Sequence, residues 1–224
     1  MLNVDLKNFI KNHKKNLNQI IYFSKKTNGS NEINNLINNF LNEKNSFVFE
    51  SVEKGVIKGR YTIFGRNPDK IWEFNNNNCF IYKRNKKIKI NGSPKKNIED
   101  IIEDFKFKIP RGLPPISSLL SGYFSYDIIR YIEKIPNTCK NDLKLPDVRI
   151  MRPKVLIIHD NVKKKIFYII NVFKDEKIKN YKKKYEEIKN ELISLSFLSQ
   201  LKNKENVLRK SKENIVKSNT SKGK

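Results

Sequence analysis

The period of the apolar residues changes at Ser46, and that change restricts the chain to folds in which helices and strands occupy separate stretches. Before it, Ile33, Leu36, Ile37, Phe40 and Leu41 follow i, i+3, i+4, i+7, i+8, the spacing of a helix with one buried face, and Ser30 is placed to cap it. After it, Phe47–Val52 and Gly59–Gly65 form short β-prone runs around a turn containing Lys54-Gly55, as an antiparallel pair would. Ile71–Phe74, Cys79–Tyr82 and Ile88–Ile90 extend this sheet as further strands, the last ending at Asn91-Gly92.

Leu2, Leu6, Phe9 and Ile10 predict a short amphipathic helix, and Ile20–Phe23 a buried strand ended by Asn28-Gly29. Ile98, Ile101, Ile102 and Phe105 mark another helix, after which prolines 110, 114 and 115 impose an irregular connection. Leu119–Tyr126, Met151–His159 and Ile166–Val172 read as strands, with a helical stretch at Ile128–Ile132. A charged helix carrying Ile178, Tyr181, Tyr185, Ile188 and Leu192 closes the pattern. Strands and helices without regular βαβ alternation predict an α+β fold with largely antiparallel, sandwich-like sheets and packed helices over residues 1–200. Residues 201–224 are mostly Lys, Asn and Ser, too poor in apolar surface to order themselves, and read as a linker.

A net charge of +24 points first towards polyanions. The lysines, however, are spread along the whole chain, and Arg60, Arg66, Arg84, Arg111, Arg130, Arg149, Arg152 and Arg209 stand apart from one another. Without a basic stripe or an aromatic platform, no nucleic-acid partner is expected. No run approaches the ~20 apolar residues of a membrane helix and the start lacks a secretory pattern, so no membrane partner and a cytoplasmic location are expected. Cys79 and Cys139 lie too far apart for a metal knuckle and read as reduced thiols; the sequons at Asn28 and Asn91 read as turns.

Catalytic chemistry is missing from the pattern. There is no glycine loop for phosphate. His13 sits on a lysine-rich helix and reads as solvated; His159 ends an apolar strand and reads as structural. The acidic run Glu99-Asp100 and Glu103-Asp104 reads as a helix face offsetting nearby lysines rather than as a metal site. No catalytic residue and no metal ligand is expected in this chain.

The run Ser46-Phe47-Val48-Phe49-Glu50-Ser51-Val52-Glu53, then Gly59-Arg60-Tyr61-Thr62-Ile63-Phe64-Gly65, resembles the opening of the anthranilate synthase large subunit, component I. The likeness continues in order through Asn67-Pro68-Asp69, Gly112-Leu113-Pro114-Pro115, Gly122-Tyr123-Phe124-Ser125-Tyr126-Asp127, Arg130, Leu145-Pro146-Asp147, Met151-Arg152-Pro153 and Asn161-Val162-Lys163. The resemblance implies the amino-terminal, regulatory domain of that subunit, with 201–224 leading to a chorismate-binding catalytic domain.

In the family, the whole enzyme is a lyase that makes anthranilate and pyruvate from chorismate and ammonia, the first committed step of tryptophan biosynthesis. Its Mg²⁺ and acid/base groups belong to the catalytic domain, and its ammonia comes from a glutamine amidotransferase subunit, component II. The resemblance implies that this part alone is inactive and contributes feedback inhibition by L-tryptophan, held by Glu50 and Ser51 with Val52, Tyr61 and Thr62. It also casts Gly122, Tyr126, Asp127 and Arg130 as braces of the domain or of its contact with the catalytic half, and Arg152 as structural. The large subunit of aminodeoxychorismate synthase and a free-standing tryptophan-binding or subunit-pairing module remain the alternatives.

Overall fold

The computed structural model describes residues 2–199 except 28, 42, 52–54, 57, 77, 84–85 and 137–142. Val52, Cys139 and the expected linker 201–224 lie outside the described residues. The elements are α1 (Leu6–Lys14), β1 (Gln19–Lys26), α2 (Ser30–Leu41), β2 (Phe47–Phe49), β3 (Tyr61–Asn75), β4 (Asn78–Lys83), β5 (Lys86–Ile90), α3 (Pro94–Asp104), β6 (Ser121–Phe124), a 3-10 helix at Tyr126–Tyr131, β7 (Val148–Asp160), β8 (Lys165–Val172) and α4 (Tyr181–Leu198).

The described strands form one eight-stranded sheet in the order β1-β8-β7-β3-β4-β5, with β2 added to β3 and β6 to β7. Every pairing is antiparallel. The mixed α+β class read from the sequence is the one found. Residues Val155–Asp160 and Ile166–Val172 are buried at every position, so β7 and β8 take the interior of the sheet. The Lys-Lys-Ile-Lys-Ile strand β5 lies at the rim, where lysines discourage pairing with another chain.

Alternation divides the apolar side chains of β7 and β8 between two faces. Val155, Ile157, Ile166, Tyr168 and Ile170 meet Phe9 of α1, Leu36 and Phe40 of α2, and Ile188 and Leu192 of α4. Leu156, Ile158, Phe167 and Ile169 point the other way and are roofed by the proline-rich segment, through Phe107, Ile109, Leu113, Ile116 and Leu119. Farther along the sheet, Trp72, Phe74, Val148 and Ile150 pack with Ile101 of α3.

Two sequence expectations change. The runs expected at Gly59–Gly65 and Ile71–Phe74 merge, from Tyr61 onward, into a single strand, β3, whose register against β7 shifts between Pro68 and Lys70. Pro68 faces Pro153 at that level, and neither has an N–H to donate, so the ladder breaks into a bulge instead of a turn. His13 is also not a freely solvated side chain. Its Nδ1 lies 3.1 Å from the Tyr181 hydroxyl, joining α1 to α4.

Arg152 fills the interruption. It is 2% exposed, and its guanidinium donates Nε to Asp69 Oδ1 at 2.8 Å and Nη2 to Asp175 Oδ1 at 2.9 Å. The same group lies 3.8 Å from the centre of the Phe173 ring, and Lys70 also contacts Asp175. Thus Asn67-Pro68-Asp69 and Met151-Arg152-Pro153, far apart in sequence, form one buried cluster. Burial alone would raise the Asp175 carboxyl; Lys70 and Arg152 outweigh it and hold the group well below the usual carboxylate range.

A carboxyl whose folded pKa is depressed stabilises the fold above its unfolded value, near 4, and loses that contribution as pH falls through the folded value. Replacing Arg152 with Met leaves Asp69 without its bidentate partner and Asp175 with lysine alone, which costs about 3–5 kcal/mol at neutral pH. Urea unfolding at pH 7 and again near pH 3 checks this: the gap between wild type and Arg152→Met should narrow at the lower pH.

Candidate functional site

A cleft of about 340 Å³ opens where β2 ends and β3 begins, lined by Phe49, Glu50, Ser51, Gly59, Arg60, Tyr61, Ile63 and Ile116. That volume is at the small end of the ~300–1,000 Å³ usual for small-molecule sites. Antiparallel pairing of Phe49 with Ile63 brings the Glu50-Ser51 end of β2 beside the start of β3. Gly65, opposite Phe47 in the same ladder, leaves room for that ring: a Cβ there would lie 2.2 Å from it. Gly59 has φ +67°, a left-handed conformation that suits glycine and turns the chain into Arg60.

The wall beyond Arg60 is tied to the β7–β8 turn. Asp160, 1% exposed, accepts from Arg60 Nε at 3.2 Å and Nη2 at 2.8 Å. It also accepts from the backbone N–H groups of Val162 at 3.1 Å and Lys163 at 3.0 Å. Asn161 closes the junction by donating its backbone N–H to the Arg60 carbonyl at 2.8 Å. Burial would raise the Asp160 carboxyl, but Arg60 and the two N–H donors hold it below the ordinary carboxylate range. Arg60 stacks over its neighbour Tyr61, with Cζ 5.0 Å from the ring centre.

Of the residues expected to contact tryptophan, Glu50, Ser51 and Tyr61 come together on this cleft. Val52 lies outside the described residues. Thr62 is elsewhere: strand alternation turns it to the opposite face, where it is 2% exposed, pairs across the ladder with His159 and accepts from Asn161 Nδ2 at 3.5 Å. Ile63, two residues beyond Tyr61, takes the place on the cleft that adjacency suggested for Thr62. Phe49, Arg60 and Ile116 were missed as site residues. Arg60 stood in a quoted motif, whereas nothing in the sequence announced that the proline-rich segment would bring Ile116 to this edge.

A larger cleft, of about 690 Å³, lies by Asn16–Asn18 and α3, but the carboxylates that line it are already paired. Asp104 meets Lys174 at 2.6 Å, Asp100 meets Lys96 at 2.8 Å, and Glu103 meets Lys106. This is the lysine-offsetting role expected of the acidic run. Among the described residues no group of three or more His, Cys, Asp or Glu could hold a metal ion. Among them, too, no helix is long and apolar enough to cross a membrane.

The other motifs act as braces. Arg130 donates to Asp127 at 3.0 Å and to the Ile135 carbonyl at 3.2 Å. Asp147 accepts from the Tyr131 hydroxyl at 2.6 Å and from Asn76 N–H at 2.8 Å. A Cβ at Gly122 would lie 1.9 Å from the Arg149 carbonyl oxygen, so the close approach of β6 to β7 requires glycine. Tyr126 is 91% exposed, so it does not brace the interior of this domain through the described residues.

Comparison with known proteins gives this arrangement a context. The chain is 36% identical over 123 residues to anthranilate synthase component 1 of Cereibacter sphaeroides, an alignment covering 53% of this chain and 25% of that protein. It is 35% identical over 127 residues to anthranilate synthase component 1 of Acetivibrio thermocellus, covering 56% and 26%. The chain is a relative of anthranilate synthase component 1. Similarity to the chloroplastic anthranilate synthase alpha subunit 1 of Oryza sativa subsp. indica runs over 164 residues at 30% identity, covering 68% and 28%. The crystal structure of component I from Streptococcus pneumoniae TIGR4 shares the fold, with a TM-score of 0.52 at 19% identity over 74% of this chain and 34% of that one. No family model matches. The chain thus spans about a quarter of the length of the curated relatives it matches.

Asp160 and Glu50 should separate structural from binding roles. Asp160→Asn removes a buried, charged acceptor of several hydrogen bonds and should destabilise the fold by about 1–3 kcal/mol. Glu50→Gln alters an exposed side chain with no described partner, and should change stability by less than about 0.5 kcal/mol. Thermal unfolding of the two variants provides the check.

Proposed function

We propose that this chain is the amino-terminal, effector-binding part of an anthranilate synthase component I, and that the cleft at Glu50, Ser51 and Tyr61 receives L-tryptophan. The observation that supports this most directly is the convergence of those residues on one small cleft beside an apolar wall of Phe49, Ile63 and Ile116. Each part of the ligand has a chemical counterpart there. Glu50 can accept from the ammonium group, the Ser51 hydroxyl can donate or accept at a polar end, and the aromatic and aliphatic side chains can cover the indole. Phe49 remains 48% exposed, so the cleft as it stands leaves a ligand partly in water.

In this reading the complete enzyme converts chorismate and glutamine-derived ammonia into anthranilate and pyruvate, with the amidotransferase subunit as its partner and the cytoplasm as its location. Mg²⁺ belongs to that chemistry, but the described residues of this chain do not supply a ligand set for it. On this reading the chain alone is inactive. A second observation fits the same picture: Phe124, Tyr126, Ile132 and Leu145 are 55%, 91%, 74% and 56% exposed. Exposed apolar side chains of this kind are suited to covering by the catalytic half of a component I.

Saturation-transfer NMR of the chain with L-tryptophan tests the reading. We expect weak binding, of roughly millimolar affinity, because the cleft is open. Ser51→Arg should abolish the signal by filling the cleft while leaving the melting temperature nearly unchanged. Absence of transfer in the wild type, or equal transfer in Ser51→Arg, would count against the assignment.

A further inference from the structure

We propose that the sheet face carried by β6, β7, β3, β4 and β5 binds an unpaired stretch of RNA, with Phe80 and Tyr82 stacking on its bases and Lys87 and Lys89 meeting its phosphates. This surface is separate from the cleft at β2 and does not depend on the effector-site reading. Neither a basic stripe nor an aromatic platform runs along the sequence, but strand register assembles both. Pairing sets Tyr123 beside Arg149, Arg149 beside Glu73, Glu73 beside Phe80 and Phe80 beside Lys89. Two residues along β4, Tyr82 stands beside Lys87.

Residues directly opposite in an antiparallel ladder share a face, so these side chains form one surface. Phe80, Tyr82 and Tyr123 belong to none of the three apolar clusters of the described residues. Tyr123 is 37% exposed, Phe80 and Tyr82 are half-buried, and Lys87 and Lys89 are exposed. The Phe80 and Tyr82 side chains leave β4 ~7 Å apart, and an aromatic face accepts any base. Glu73 is held by Arg149, and Lys87 and Lys89 have no ion pair among the described residues. Lys87 Nζ lies 4.1 Å from the centre of the Phe80 ring and 5.6 Å from that of Tyr82. Lifting an exposed ammonium off a ring costs less than stacking a base on it gains, and the released lysine is free to meet a phosphate. The rings call for unstacked bases, which a duplex does not offer; in the cytoplasm, the location proposed above, unpaired nucleic acid is chiefly RNA.

The experiment measures fluorescence anisotropy of a short labelled oligo(U) strand with the wild-type chain and three double variants, at about 50 and 150 mM salt, with thermal unfolding to verify folding. Wild type should bind saturably and more weakly at the higher salt. Lys87→Gln with Lys89→Gln should reduce the slope of log affinity against log salt by about 1.4, the share of two phosphate contacts. Lys7→Gln with Lys11→Gln, the same charge change on the exposed face of α1, should leave slope and affinity nearly unchanged. Phe80→Leu with Tyr82→Leu should weaken binding about tenfold and keep the slope. Unlabelled duplex RNA should compete about tenfold less well than the single strand. Absence of saturable binding at the lower salt, equal losses from the two lysine pairs, equal competition by duplex, or full affinity in a folded leucine variant would each overturn the proposal. If the leucine variant unfolds, the two lysine pairs and the duplex competition decide it.

Discussion

The pairing of β3 with β7 is the constraint on which the rest of the molecule depends. It runs from Tyr61 opposite Asp160 to Phe74 opposite Val148, and it holds the cluster of Trp72, Phe74, Val148 and Ile150 together at one end and the cleft at the other. A slip by one residue would exchange the two faces of β7, sending Val155 and Ile157 away from the helices. The ladder is weakest where Pro68 meets Pro153, and there Arg152 bridges Asp69 on β3 to Asp175 beyond β8. An ion cluster of this kind gains little over well-packed apolar groups, but breaking it is costly. Its contribution is register, and register decides that Asp160 arrives beside Arg60.

Carboxylates are scarce, with 23 Asp and Glu against 47 Lys and Arg. The shortage sharpens their meaning. Asp69, Asp147, Asp160 and Asp175 each hold a specific arginine, tyrosine or backbone N–H, and the acidic run on α3 is absorbed by nearby lysines. Glu50 differs: it is exposed, lines a cleft and has no described partner.

Much of the architecture was legible because periodicity reports burial directly. The helical stripe Ile33–Leu41 became α2, the run Ile166–Val172 became β8, and the Phe47–Gly65 pair formed as expected. The β3 bulge was hidden, because Asn67-Pro68 reads locally as a turn and only the opposing Pro153 and the buried Arg152 make it a bulge. The cleft was half legible. Glu50, Ser51 and Tyr61 could be named from the motif, but strand alternation, already implied by the same residues, favours Ile63 over Thr62. Arg60 needed Asp160, a hundred residues away in sequence, to reveal its orientation. No local pattern contains that information.

The most direct test of the central claim is to titrate ¹⁵N-labelled chain with L-tryptophan and map the perturbed backbone amides. The account predicts shifts at Glu50, Ser51, Arg60, Tyr61 and Ile116, with little change around Trp72 or along the larger cleft by Asn18 and Asp104. Perturbations concentrated at Asn16–Asn18 and Asp100–Asp104, or silence at Glu50, Ser51, Arg60 and Tyr61 throughout the titration, would contradict it.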